Sequence, residues 1–249
     1  MNYKLKYMKE LQIHNCGVDK IRSKKQFTDN KWYKCGHKCC IKYVLETLGW
    51  KKYNYKSQKM LEHICSLGEL DSLKYLFSIG YTTKHVEKSK GFHLACKYNR
   101  IKIVQFLINQ GYDKELIRED IIREIFNNSC NDIIKYFHEI LKIDKDLIKR
   151  YDCLKYVIYN RNIRILNYLK KEKLVNKEDI SDINLIRILI TYNNIDMIEY
   201  IIDNFDYDVL ELGELYNEVL FTNLNRSGII NMICRKMYEN IPIEDNIFI

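Results

Sequence analysis

Residues 34–40 of this chain, KCGHKCC, hold its densest cluster of potential metal ligands. Thiolate sulfur and imidazole nitrogen are ligands that Zn²⁺ prefers, and a tetrahedron of four such ligands forms a closed structural site. The candidate ligands are Cys35, His37, Cys39 and Cys40, with His14 and Cys16 upstream. The spacing Cys-x-His-x-Cys-Cys matches no common closed zinc site. Because neighbouring residues on a helix point about 100° apart, Cys39 and Cys40 would also diverge. We therefore predict no metal and no cofactor.

The rest of the chain carries no motif for catalysis. It lacks the phosphate-binding G-x-x-x-x-G-K-[ST] loop, the dinucleotide motif G-x-G-x-x-G and the zinc-protease motif H-E-x-x-H. Cys65, Cys96, Cys130 and Cys234 fall at helical positions, where cysteine behaves as a small buried hydrophobe. The acidic residues are scattered at spacings typical of a solvated helix face. We predict that the protein is not an enzyme.

Composition predicts an all-α protein. The 249 residues are 47% hydrophobic and 30% charged, with only one proline and nine glycines. This is enough apolar material for a core, and too little turn chemistry for a β-sandwich or barrel.

Several features bear on localisation. There is no run of 18 apolar residues, so we predict no membrane span. The start MNYKLKYMKELQ lacks the apolar stretch of a secretory signal, and nine scattered cysteines fit a reducing compartment. We expect an intracellular, cytoplasmic protein that is not secreted.

The charge is distributed unevenly. Residues 1–59 contain 15 Lys/Arg and 4 Asp/Glu, a balance of +11, with Trp32, Tyr33, Trp50, Tyr53 and Tyr55 interleaved. From residue 196 onward there are 11 acidic and 3 basic residues, a balance of −8. Because basic residues with aromatics suit phosphates and stacked bases, nucleic-acid binding by the basic quarter is an alternative function.

One short phrase recurs along the chain. An aromatic residue at 75, 106, 136, 168 and 200 follows an apolar-polar pair at spacings of 30 to 32, and the period extends to Tyr43 and Met232. Apolar residues within each unit have helical spacing, and polar stretches divide each unit into two short helices. Such a pair buries its faces only by stacking on its neighbours. We predict a cap at 1–26, seven repeats over 27–240 and a tail at 241–249.

Two segments resemble ankyrin repeats. Residues 90–96, KGFHLAC, are similar to the opening of an ankyrin repeat, and residues 101–113, IKIVQFLINQGYD, to its second helix and turn. The resemblance implies an all-α, ankyrin-type solenoid of stacked antiparallel helix pairs. It also implies that His93 is structural and hydrogen-bonds backbone at the turn. The Ile/Asn/Lys/Tyr-rich composition resembles the ankyrin proteins of large amoeba-infecting DNA viruses, which implies the cytoplasm of a host cell.

The chain departs from the ankyrin pattern in two places. The turn glycine is kept only at Gly80 and Gly111. The small residue of the first helix is replaced in all but one unit; the residues at that position are Trp32, Ile64, Ala95, Ile125, Val157, Leu189 and Phe221.

The resemblance further implies an interaction scaffold or adaptor that binds a protein through the concave face and turn tips of the array. We expect an acidic protein partner and a monomeric chain. The predicted partner-binding residues at first-helix ends are Lys34, Lys97, Tyr98, Asn127, Tyr159, Asn160 and Tyr192. Lys51, Lys52 and Lys56 are added because they belong to the basic quarter.

Overall fold

The computed structural model describes residues 37–42, 45–46, 55–181, 183–221 and 226–239, except for the side chains at 40, 55–57, 183–184 and 186. The predicted cap at 1–26, the tail at 241–249, and Lys34, Lys51 and Lys52 therefore lie outside the described residues. Lys56 lies in a described helix, but its side chain is among the exceptions. The predicted domain boundaries remain predictions.

The fold is an all-α, ankyrin-type solenoid of antiparallel helix pairs, and the described residues contain no strand. The first helices of the pairs are α2 (Tyr55–Leu67), α5 (Gly91–Lys97), α7 (Glu119–Asn127), α10 (Cys153–Tyr159), α13 (Ile183–Thr191) and α15 (Val209–Phe221). The second helices are α1 (Lys38–Lys42), α3 (Leu70–Ser78), α6 (Ile101–Asn109), α8 (Asn131–Leu141), α11 (Ile163–Lys171), α14 (Ile195–Asn204) and α16 (Ser227–Glu239). Short tip elements separate the pairs: α4 (Thr83–Glu87), a 3₁₀ turn (Lys114–Leu116), α9 (Lys145–Arg150) and α12 (Lys177–Ile180).

The chain divides into two compact units, Met1–Leu141 and Lys142–Ile249. In the first unit α5 packs between α2 and α7, and α6 packs between α3 and α8. In the second unit α13 packs between α10 and α15, and α14 packs on α16. Within each unit, like helices of successive pairs thus lie against each other, which is the packing of a solenoid.

The recurrent aromatic occupies the same position in five of the helices that come second in their pair. Tyr75, Phe106, Tyr136, Tyr168 and Tyr200 are each the sixth residue of their helix, as is Met232 in α16. The third, fourth and seventh residues face the core: in α6 these are Ile103, Val104 and Leu107, and in α11 they are Ile165, Leu166 and Leu169. The period of the sequence is therefore the period of the helix pairs.

The helix ends repeat as strictly as the core. The first helices are followed by a residue with positive φ at 68, 99, 129, 161 and 193, and the second helices at 80, 111, 142, 173 and 206. At eight of these ten ends the amide after the positive-φ residue bonds back to the helix, as in the bonds from Leu174 N to Leu169 O (2.8 Å) and from Tyr112 N to Leu107 O (3.0 Å). At seven of these ten positions a residue other than glycine adopts the left-handed conformation. This conformation costs such a residue about 1–2 kcal/mol.

Capping side chains that the sequence pattern did not single out mark the N-termini of three tips and of α15. Asp113, Asp144, Asn176 and Asp208 each accept a hydrogen bond from a backbone amide two or three residues later. These residues are 31 or 32 positions apart. Asp and Asn are preferred N-caps because their oxygens satisfy amides that have no partner in the helix.

The interpretation of the first-helix position is correct in five described units and wrong in the last. Ile64, Ala95, Ile125, Val157 and Leu189 are all buried. Phe221 is 80% exposed, whereas Val219 is buried. In α15 the core face is set by Leu212, Leu215 and Val219, and two further residues rotate the side chain by about 200°. Phe221 therefore faces solvent.

Candidate functional site

Most of the predicted partner-binding residues that the structure describes stand at the C-terminal end of a first helix, some in each unit. Asn127 and Tyr159 are the last residues of α7 and α10, and Tyr98, Asn160 and Tyr192 are the residues that follow α5, α10 and α13. Tyr98, Tyr159 and Tyr192 are 50%, 53% and 51% exposed. Tyr98, Asn160 and Tyr192 stand one residue before the left-handed turn that follows their helix, and Asn127 and Tyr159 stand two residues before it.

Two of these tyrosines are in direct contact. The ring centroids of Tyr159 and Tyr192 are 5.0 Å apart, with the planes at 83°. This edge-to-face arrangement is a favourable one for aromatic pairs. The residues are 33 positions apart in sequence, so the pair joins the ends of successive first helices.

Lys97 has a structural role that the sequence analysis did not foresee. Its Nζ lies 2.6 Å from Glu124 Oε1 and so connects α5 to α7. The hydrogen bond to Glu124 raises the pKa of Lys97, and the same bond lowers the pKa of Glu124. The ammonium group is thus already engaged within the protein.

Backbone carbonyls at first-helix ends accept hydrogen bonds from the following pair. Arg100 Nε donates to Ser66 O (2.7 Å), and Cys130 Sγ approaches Lys97 O (3.3 Å). In the second unit, Asn194 Nδ2 donates to Ile158 O at 3.4 Å. Cationic groups at a helix C-terminus are favoured by the helix dipole. These bonds fix the helix ends that carry the exposed tyrosines.

A groove of about 650 Å³ lies in the second unit, beside α9, α10, α12 and α13. Its apolar lining comes from Ile148, Leu154, Leu174, Val175, Leu185 and Ile188. Lys149, Lys155, Asp152 and Glu178 add charged groups of both signs. The sequence does not reveal this groove, because its apolar residues follow the ordinary core pattern, and Ile148, Leu154, Leu174 and Val175 are themselves buried.

Ion pairs in the second unit join tip α9 to tip α12, and tip α12 to the first helix α15. Lys145 Nζ lies 2.8 Å from Asp179 Oδ2, and Lys177 Nζ lies 2.6 Å from Glu211 Oε2. The two ion pairs are equivalent in the repeat, because Lys177 lies 32 residues after Lys145 and Glu211 lies 32 residues after Asp179. The hydrogen bond to Glu211 raises the pKa of Lys177. The groove therefore lies beside tips that are tied to each other.

Three of the described thiols are poor candidates for nucleophiles. Burial raises the pKa of Cys65 to about 12 and that of Cys130 to about 11, and it also raises the pKa of Cys96. A reactive cysteine needs the opposite shift, since the thiolate is the nucleophile.

The metal prediction stays a prediction, because Cys35, His14, Cys16 and the side chain of Cys40 lie outside the described residues. His37 Nδ1 lies 3.6 Å from Glu69 Oε1. In the part of the chain that the structure describes, no three His, Cys, Asp or Glu residues are placed to hold a metal ion.

His93 differs from what the resemblance implies. It is the third residue of α5, and its Nδ1 lies 3.8 Å from Asp120 Oδ2 in α7. The ring therefore points along the stack toward the next first helix, where it meets a carboxylate rather than backbone.

Comparison with known proteins gives one match. Residues 90–115 match the family model described as "Ankyrin repeat". No curated protein and no solved structure matches the chain significantly. None of the helices described here has the length and apolarity to cross a membrane. The matched segment contains α5 and α6, and together with the helical fold it supports an ankyrin-repeat protein.

Proposed function

We propose that the chain is a protein–protein interaction scaffold or adaptor, which binds its partner through the first-helix ends and the tips. Ankyrin repeats are in general protein-interaction modules. The observation that carries the proposal is the set of half-exposed tyrosines at equivalent helix ends, Tyr98, Tyr159 and Tyr192. Tyrosine offers a large contact area and loses little conformational entropy when it is immobilised.

The groove of the second unit supports the same proposal. It combines an apolar lining with exposed charged residues, as interaction sites do. Lys149 and Lys155 take part in no ion pair of the described structure, so their charge is free for a ligand. A side chain of a bound segment could enter this groove.

A binding role is favoured over catalysis. The ankyrin fold is typically a non-enzymatic interaction module. The raised pKa values of the Cys65 and Cys130 thiols are unsuited to nucleophilic chemistry.

Site-specific photo-crosslinking tests the proposal. A benzophenone amino acid replaces Tyr98, Tyr159 or Tyr192 one at a time, and Lys171 on a second helix serves as the control position. We expect cross-links to a common protein from the tyrosine positions and none from Lys171. Cross-links from Lys171 alone would place the interface on the second helices and contradict the proposal.

Nucleic-acid binding by residues 1–59 is the second candidate, and its support is their charge balance of +11. Phosphate binding releases counterions, so for a single strand the logarithm of the affinity falls with log salt by about 0.7 per contact. Titration of a single-stranded oligonucleotide over a salt series would show such a slope. Binding that is absent or independent of salt would exclude this candidate.

We also propose, on composition alone, that the protein acts in the cytoplasm of a host cell infected by a large amoeba-infecting DNA virus. The Ile/Asn/Lys/Tyr-rich sequence with a single proline supports this proposal. Capture of the tagged chain from infected amoebae, with identification of the cross-linked protein, would test it. Recovery of only virion proteins would contradict a host partner.

A further inference from the structure

The C-terminal ends of α10 and α13 present a surface that we call the tyrosine–arginine edge, formed by Tyr159, Tyr192, Arg161 and Arg226. Both tyrosine rings are about half-exposed and meet edge to face at 5.0 Å. Because the rings restrain each other, they have less side-chain entropy to lose when a ligand packs on them. The two rings are therefore preorganised for binding.

Two guanidinium groups are held by backbone carbonyls at the C-terminal end of α13, which carries Tyr192. Arg161 Nη2 donates to Tyr192 O at 3.1 Å. Arg226 Nε donates to Ile190 O at 3.0 Å, and its Nη2 to Thr191 O at 2.7 Å. Since a guanidinium has five N–H donors, both groups keep donors for the oxygen atoms of a ligand. Neither guanidinium is in an ion pair within the described residues.

The charge at this edge is positive. Residues 159–164 and 191–196, taken with Arg226, contain three arginines and one carboxylate, Asp196. At the corresponding ends of α5 and α7 in the first unit, two polar side chains already have carboxylate partners. There Lys97 is bonded to Glu124 at 2.6 Å, and Asn99 Nδ2 donates to Asp132 Oδ2 at 3.3 Å. Arg161 and Arg226 of the second unit, by contrast, have no carboxylate partner within the described residues.

We propose that the tyrosine–arginine edge docks an acidic segment of a partner protein. Asp or Glu carboxylates of the segment accept hydrogen bonds from Arg161 and Arg226, a pairing for which the planar guanidinium is well suited. An apolar side chain of the segment lies on the rings of Tyr159 and Tyr192. The inference rests on the proposed protein-binding function and adds the place of binding and the chemistry of the bound segment.

The test begins with selection of displayed random peptides of about twelve residues, long enough to span both helix ends, on the full chain at about 0.15 M salt. We expect the enriched peptides to carry an excess of Asp and Glu together with an aromatic or aliphatic residue. Enrichment of neutral or basic peptides contradicts the acidic segment. The acidic segment is also contradicted if an oligonucleotide binds more tightly than any peptide and substitutions in the tyrosine–arginine edge weaken that binding.

Variants then locate the binding of one enriched peptide, measured by fluorescence anisotropy. Arg161→Gln, which keeps a donor for Tyr192 O but removes the charge, and Tyr192→Ala are each expected to weaken binding about tenfold, equal to 1.4 kcal/mol. Tyr192→Phe keeps the ring and should stay within about twofold. Melting curves of each variant show that the fold is intact.

Tyr98→Ala in the first unit is the matched control. If the peptide loses affinity with Tyr98→Ala but not with Arg161→Gln or Tyr192→Ala, this inference fails while the proposed scaffold function stands. If no peptide is enriched and no protein is cross-linked, both fail. Self-association that disappears with Arg161→Gln would identify a second copy of the chain as the occupant and would also overturn the inference.

Discussion

The ion pair between Lys97 and Glu124 joins a predicted partner-binding residue to the next first helix. Its side chains lie on two successive first helices, 2.6 Å apart, and each is more than half-buried. A surface pair of this kind contributes modestly, and mostly where its geometry is fixed. Here Asn128 Nδ2 also donates to Glu124 Oε1 at 3.0 Å, which helps to hold the carboxylate in place.

This pair predicts a pH dependence. The bond to Lys97 lowers the pKa of Glu124 in the folded protein, so the stabilisation is fully present above the unfolded-state pKa of about 4.3 and is lost as pH falls through the folded pKa. We expect Glu124→Gln to unfold at lower urea concentration than the wild type at about pH 7, and this difference to shrink as the pH falls below the unfolded value.

A control for this prediction is Arg123→Gln, which breaks the more exposed pair between Arg123 and Glu119. It should have little effect on the urea midpoint at neutral pH. A difference between wild type and Glu124→Gln that stays constant into the acid range would show that the bond to Lys97 does not stabilise the carboxylate.

The buried thiols give a second prediction at the residue scale. Cys65, Cys96, Cys130 and Cys153 are buried, whereas Cys39 and Cys234 are half-buried. Because reaction with a disulfide reagent needs an accessible thiolate, the four buried thiols should react at about pH 8 only when the protein opens. Cys234→Ser should remove a fast-reacting thiol and Cys65→Ser a slow one. Equal rates for Cys65 and Cys234 would contradict the buried position of Cys65.

At the scale of the elements, the ends of the second helices keep the left-handed conformation even where glycine is replaced by another residue. Gly80 and Gly111 occupy the left-handed turn in the first unit, at φ of 100° and 82°. Lys142, Lys173 and Asp206 adopt the same turn at φ of 51° to 57°. At Lys173 the closing hydrogen bond from Leu174 N to Leu169 O holds the turn. At all three positions the residue that follows is buried: Ile143, Leu174 and Tyr207.

Replacing Lys173 by glycine should therefore stabilise the protein. Glycine removes about 1–2 kcal/mol of left-handed strain and loses about 0.5–1 kcal/mol to the entropy of the unfolded chain, so the net gain is about 0.5–1 kcal/mol. The matched control is Lys171→Gly, at a helical residue two positions earlier, which should cost roughly 0.5–1 kcal/mol. Urea unfolding of both variants measures the opposite signs. Destabilisation by both would show that the turn imposes no strain on Lys173.

The repeat and the helix pairs could be predicted from the sequence because the apolar residues at 103, 104 and 107 recur about every 31 positions. The core face of α15 could not be predicted from the period alone. The period predicts that Phe221 faces the core, whereas the buried face of this helix ends at Val219. The ion pair of Lys97 could not be predicted from the sequence for another reason. Its partner Glu124 is 27 residues away, and neither residue belongs to a recognisable motif.

The candidate site was predicted in part. The tyrosines at helix ends follow from the repeat, since each stands one or two residues before a turn. The contact between Tyr159 and Tyr192 depends on the distance between neighbouring helices, which sequence spacing does not give. The anchoring of Arg226 to the end of α13 likewise depends on a carbonyl 35 or 36 residues earlier.

For the whole molecule, the charge distribution is the property that acts beyond single contacts. Residues 1–59 carry a balance of +11, and residues from 196 onward a balance of −8. At physiological salt a charge is felt over only about 8 Å, so each region acts on the part of a partner that comes near it. Distributed charge chiefly governs the rate of encounter, and buried contacts govern the lifetime of the complex.

A kinetic prediction separates these two effects. Lys51, Lys52 and Lys56 are changed together to glutamine, and association is followed with an enriched acidic peptide that carries an added run of glutamates. We expect the association rate to fall several-fold and its salt dependence to flatten, because fewer positive charges attract the glutamates. Tyr159→Ala should instead mainly raise the dissociation rate, since it removes a contact within the complex. An unchanged association rate in the lysine variant would mean that the basic residues of the first quarter play no part in the encounter, and binding would then rest on the tyrosine–arginine edge alone.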